Sequence, residues 1–226
     1  MSDVYDDPKK LYFFFDYISH NAYLAWHRLP ALARKYELTI EPVPVLFAAL
    51  LKAYGQVGPA EVPAKSRWML NNVLRKAKKL GLPIAPPATH PFNPLLALRL
   101  ACCELPRDAR ADLITRSFAA TWEQSRPMHE PETLAQIIRE AGYDARTLMQ
   151  EAEGDAAKRT LRDNGEQALA AGVFGVPSMI VRGELFWGYD DFEHLEAFLA
   201  GRDPLGPDKS AYAAWDAVRP SAQRRK

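Results

Sequence analysis

The sequence predicts an α/β chain in which one small sheet receives a large α-helical insertion. Three observations predict it: a β-α-β pattern over residues 11–46, helical segments from about 60 to 171, and a β-β-α pattern after Gly172. A chain of 226 residues, 48% hydrophobic and 25% charged, is of the size and composition of one globular domain, or one domain carrying an insertion. It is long enough to bury a sizeable core.

"LYFFFDYI" (11–18) is an apolar, aromatic run of strand length and reads as a buried strand. From about Asn21 to Tyr36, Leu24, Leu29, Leu32, Ala33 and Tyr36 recur at helical spacing. Ser19 or Asn21 is available as N-cap, and Pro30 is expected to bend the helix. "LTIEPVPVL" (38–46) alternates as a second strand, and Pro42 and Pro44 place it at an edge or make it irregular. The helical middle comprises "KSRWMLNNVLRKAKKLG", "NPLLALRLACCEL", "ARADLITRSFAATWEQS", "PETLAQIIREAG", "DARTLMQEA" and "DAAKRTLRDNGEQALAAG", punctuated by proline and glycine. After it come strands at "VPSMIVRG" and "ELFWG", then a helix "DDFEHLEAFLAG" that Asp190 or Asp191 can cap. The tail, 201–226, is rich in proline and charge, with Tyr212 and Trp215 as docking residues.

A formal charge of +1 gives no sign of nucleic acid or an anionic membrane as partner. "MSDVYDDPKK" is acidic where a secretory signal needs a basic start, and no run approaches ~18 apolar residues, so a soluble, cytoplasmic protein is expected. The two cysteines, Cys102 and Cys103, are neighbours in a helical pattern; they read as small apolar residues and form neither a disulfide framework nor C-x-x-C. His20, His27, His90, His129 and His194 lack the spacing of a helical zinc site, so no metal is expected.

Chemistry concentrates where the first strand meets the first helix, in "FDYISHNAYLA", and in the late segment "GVFGVPSMIVRGELFWGYDDFEHLEAFL". The order of elements resembles the thioredoxin superfamily, whose C-x-x-C would stand at Ser19-His20-Asn21-Ala22 and whose loop with a cis proline would be Val176-Pro177. From Leu11 to about Leu199 the chain is more specifically similar to 2-hydroxychromene-2-carboxylate isomerases and kappa-class glutathione transferases. Those carry a helical insertion and a serine for the first cysteine. The matching patterns are F-D-[FY]-x-S-P-[YF]-S-[YW]-L, "VPAK" at the opening of the insertion, and G-[VA]-F-G-[AV]-P-[ST]-x-x-[VL]-x-G-E-x-[FW]-[FW]-G-x-D. The resemblance implies a thioredoxin-like domain in two pieces, 11–55 and 172–200, an inserted helical domain over 56–171, and a tail over 201–226.

It also implies glutathione as cofactor and a homodimer. Ser19 would donate its hydroxyl to glutathione's thiolate beside the partial positive charge of a helix start, or would be a plain N-cap. Val176, extended because it precedes Pro177, would pair its backbone with the cysteinyl unit. Asp190, beside Trp187, Gly188 and the Tyr189 backbone, would take the ligand's amino group or cap a helix. Lys65 suits the glycine carboxylate or is a solvated surface lysine; Gln56 stands where kappa enzymes have asparagine. Asn93, in "HPFNP", faces a second ligand or caps a helix. His20, Asn21 and Ala22 depart from the family's P-[YF]-S, which removes an aromatic wall for a flat substrate. His20 could titrate near neutral pH and polarise the thiol, or be a polar corner residue. The leading expectation is a glutathione-dependent isomerase of an aromatic-catabolism intermediate. A kappa-type transferase and a redox-inert thioredoxin-like binding module are the alternatives. Dithiol exchange at this corner is excluded, because it contains no sulfur.

Overall fold

A computed structural model describes residues 3–206, 214–215 and 217–219. The chain opens with β1 (Lys10–Phe15), α1 (His20–Lys35), β2 (Thr39–Pro44) and a short α2 (Phe47–Ala53). Six helices follow: α3 (Pro63–Leu80), α4 (Leu95–Ala101), α5 (Arg107–Trp122), α6 (Pro131–Glu140), α7 (Ala145–Glu153) and α8 (Asp155–Ala170). β3 (Ser178–Val181), β4 (Glu184–Trp187) and α9 (Phe192–Leu199) close the fold. The sheet order is β2-β1-β3-β4, with β1 parallel to β2 and the other neighbours antiparallel. It is a thioredoxin-like α/β fold with a mixed sheet and added helices.

β1 is apolar from Leu11 to Phe15 because it is central and covered on both faces. Leu11, Phe13 and Phe15 join α1, α5 and α9 in one core cluster that continues through α4, α6, α7 and Leu161 of α8. Tyr12 and Phe14 point the other way, with Tyr5, Val43, Leu50, Ile180 and Ala168 of α8. Burying Phe13, Phe14 and Phe15 completely contributes about 1.5–3 kcal/mol each. β2 carries Pro42 and Pro44 at the sheet edge, where a missing donor is tolerated.

The strand expected over 11–18 stops at Phe15, since Asp16 turns the chain. The Asp16 carboxylate accepts the backbone N–H of Ile18 (3.1 Å) and of Phe47 (2.9 Å), and its carbonyl accepts that of Ser19 (3.0 Å). Pro30 lies within α1. α2 has only Leu50 buried, too little for a periodic signal in the sequence. Cys102 ends α4 and Cys103 lies just past it. Both thiols are free, with Cys103 buried. At α9 the predicted cap fails: Asp191 occupies the N-cap position without capping, its carboxylate taken by Trp187 N–H (3.0 Å) and His194 Nδ1 (2.8 Å). Trp215 does not dock, being 76% exposed; Tyr212 falls outside the described residues. No helix among them is long and apolar enough to cross a membrane.

Candidate active site

Ser19 caps α1 in extended backbone (φ −94°, ψ 111°), its Oγ accepting the Ala22 N–H at 3.2 Å. Its hydroxyl also donates to the carbonyl of Val176 at 3.3 Å, across 157 residues of chain. The structure thus brings the strand-helix corner against the loop at Val176-Pro177, whose peptide bond is cis, as the resemblance implies. Pro177's carbonyl accepts the Gly188 N–H at 2.8 Å, which ties the loop to the end of β4. Gly188 turns there with φ 79°, a conformation that favours glycine. A Cβ at Gly175 would lie 2.6 Å from Trp187 Nε1, so any side chain there displaces the Trp187 ring.

Of Val176's two backbone groups only the N–H lacks a protein partner among the described residues, because Ser19 occupies the carbonyl. The N–H groups of His20 and Asn21 at the start of α1 likewise have no protein acceptor there. Two unpartnered N–H groups and the Ser19 hydroxyl thus lie at the corner, with the unpartnered Val176 N–H on the loop against it, a setting suited to a polar, anionic ligand atom.

The flank of the corner holds residues distant in sequence. Lys76 of α3 pairs with Asp190 Oδ2 at 2.7 Å, reaches Asn21 Oδ1 at 3.4 Å, and lies over the Tyr189 ring, 5.3 Å from its centroid. Asp190, expected to take a ligand's amino group or to cap a helix, is paired with Lys76. His90 Nε2 stands 3.1 Å from the Ile18 carbonyl; Trp122 Nε1 donates to the Tyr17 carbonyl at 2.9 Å, with the rings of His20 and His90 at 5.7 and 5.8 Å.

His20 does not titrate near neutrality. Burial, then electrostatic repulsion from His90 and Lys76, pushes its imidazole down to about 4, so it is uncharged at pH 7. Asp16 goes the opposite way, its carboxyl pushed up to about 7 by burial against the stabilising N–H bonds. Burial likewise raises Cys102 to about 12 and Cys103 to about 11, which makes both poor nucleophiles.

The remaining predicted residues are less converged. Gln56 and Lys65 are exposed on the α2–α3 segment, with no hydrogen bond or ion pair to the corner. Asn93 Oδ1 accepts the Leu95 N–H at 3.1 Å just ahead of α4, whose N-cap position is Pro94. Trp187 is 51% exposed and packs on Phe174, ring centroids 5.1 Å apart. A cleft of about 630 Å³ lies at the opposite end of α1, between Arg34, Ile40, Leu105 and Arg110, and includes none of these residues. No cluster of metal-ligating side chains occurs among the described residues.

Sequence reasoning missed Lys76, His90, Trp122 and the bracing role of Asp16. Asp16 stood in the quoted F-D motif, whereas Lys76 is one of many lysines in a helical pattern and carried no signal.

A DSBA-like thioredoxin domain matches residues 10–200. The 2-hydroxychromene-2-carboxylate isomerase of Sphingobium xenophagum is 30% identical over 193 residues, covering 84% of this chain and 98% of that one. Glutathione S-transferase kappa 1 of Caenorhabditis elegans is 25% identical over 215 residues, covering 87% and 93%. A solved 2-hydroxychromene-2-carboxylate isomerase superposes with a TM-score of 0.79 at 24% identity, covering 93% of this chain and all of the other, a likeness of fold.

Proposed function

The chain belongs to the DSBA-like thioredoxin family, alongside isomerases and transferases, and from that premise we propose that it is a glutathione-dependent cis-trans isomerase acting on a conjugated intermediate of aromatic breakdown. The observation that carries the reading is the position of Ser19, whose hydroxyl joins the start of α1 to the Val176 carbonyl. The residues present fit a thiol peptide. Unpartnered N–H groups at His20, Asn21 and Val176, together with one mobile proton on Ser19, can serve a sulfur anion and a peptide backbone.

Bound glutathione would supply a thiolate able to add reversibly to a conjugated carbon, making a double bond transiently single and rotatable. The chain's own work is to hold that charge. Ser19 exchanges one neutral hydrogen bond, to Val176, for a charge-assisted one, while the open end of α1 adds its dipole. Val176 N–H would orient the peptide, and Asp190 would meet its amino group. Gln56 and Lys65, being exposed, would reach the glycine carboxylate only if the α2–α3 segment folds over the ligand. His20 contributes an uncharged polar wall.

A kappa-type transfer reading has support in the transferase relative. Product mass separates the two: isomerisation of a conjugated cis substrate leaves its mass unchanged, and transfer adds the tripeptide. Calorimetry showing no glutathione binding at millimolar levels would refute both and leave a redox-inert binding module. A homodimer belongs to the same proposal. Of the 18 residues of α3 only Val73 and Ala77 are buried, while Leu70 and Leu74, on the same side of the helix by their spacing, are exposed, an apolar strip suited to pairing.

A further inference from the structure

Lys76 keeps only 12% of its side chain exposed, whereas its partner Asp190 keeps 74%. The cation is therefore held by its buried stem and by Asn21, and the carboxylate is the freer member. An ion pair with one solvated partner is worth about 1 kcal/mol or less, so it opens readily for a ligand that replaces both halves. A simple anion binding Lys76 would sit against the like charge of the Asp190 carboxylate, and a simple cation binding Asp190 would leave the largely buried Lys76 without its partner. A zwitterion meets neither penalty, because one pair becomes two.

We infer that Lys76 and Asp190 together form a receptor for an α-amino acid end group, Lys76 holding its carboxylate and Asp190 turning to its ammonium. The inference rests on the glutathione reading, and it assigns Lys76 as a specificity-determining residue for the γ-glutamyl end. The contact with Asn21, two residues from Ser19, aims the cation at the corner where the sulfur would sit. Thiols without that end group, such as cysteinylglycine, would leave the ion pair closed and gain nothing from it.

The test is calorimetry of the full chain with two probes, glutathione and 4-aminobutanoyl-cysteinylglycine, which lacks only the α-carboxylate. The native chain should prefer glutathione by about ten- to hundredfold, the worth of a charged hydrogen bond. Lys76→Met, which keeps the apolar stem, should bind both probes about equally. Equal affinity of the native chain for the two probes overturns the receptor without any substitution, and so does a Lys76→Met variant that retains the preference. If the native chain binds neither probe, the glutathione reading itself fails and the receptor falls with it.

Discussion

Replacing Ser19 separates its two possible roles, because capping and thiolate stabilisation respond differently to alanine and glycine. Ser19→Ala removes the bond from Ala22 N–H, a cap worth about 1 kcal/mol, and the bond to the Val176 carbonyl, worth about 0.5–1.5 kcal/mol. The sum, about 1.5–2.5 kcal/mol, lowers Tm by roughly 3–10 °C for a chain of this size. Ser19→Gly loses the same hydroxyl but only a few tenths of a kcal/mol of the capping energy, so it should melt above the alanine variant. Both lose the donor to sulfur equally. A hydrogen bond to a charged group is worth about 1.5–3 kcal/mol, so the apparent pKa of bound glutathione should rise by roughly 1–2 units in each. The assay is the ultraviolet absorbance of bound thiolate against pH, with melting curves in parallel. An unchanged thiol pKa in both variants would remove Ser19 from the chemistry, and a shift that followed Tm would reduce it to a cap.

Two buried groups should impose opposing pH dependences on stability. Asp16 is raised to about 7, so its contribution is complete below its unfolded pKa near 4 and is lost as pH climbs to 7, a swing of roughly 3–5 kcal/mol. His20 is lowered to about 4, so its contribution is complete above 6.5 and is lost as pH falls to 4. Urea midpoints should therefore fall on acidification from pH 7 to 4.5 in Asp16→Asn and rise in His20→Gln; parallel profiles would contradict the two environments. Cys102 and Cys103 should resist iodoacetamide at pH 8 in the native protein and react in urea, read by mass spectrometry. Light scattering should report a dimer that Leu70→Lys converts to monomer with little change in Tm, because Leu70 is 56% exposed in the single chain.

The parts of this fold legible in the sequence are those whose cause is local. β1 announces itself because a strand covered on both faces must be apolar at every position, and β2 announces its edge position through Pro42 and Pro44. Ser19 is legible as a cap because the group it satisfies, Ala22 N–H, lies three residues on. Where the cause is remote, periodicity is silent. β1 ends early through an Asp16 carboxylate that also holds Phe47, 31 residues away, and α9 goes uncapped since Asp191 turns back to β4.

The same distinction explains which half of the candidate site was readable. The motif around Ser19 and the one around Val176-Pro177 each have an internal pattern, and the structure joins them through one hydrogen bond. Lys76 has no such pattern: it meets Asn21 across 55 positions and Asp190 across 114, and in its own helix it is one charge among several. Its burial alone sets it apart, since a lysine with 12% of its side chain exposed gives up solvation that Lys65 keeps. A buried cation paired to an exposed carboxylate contributes little to stability. Its placement at the mouth of the corner is therefore better explained by what it recognises than by what it holds together.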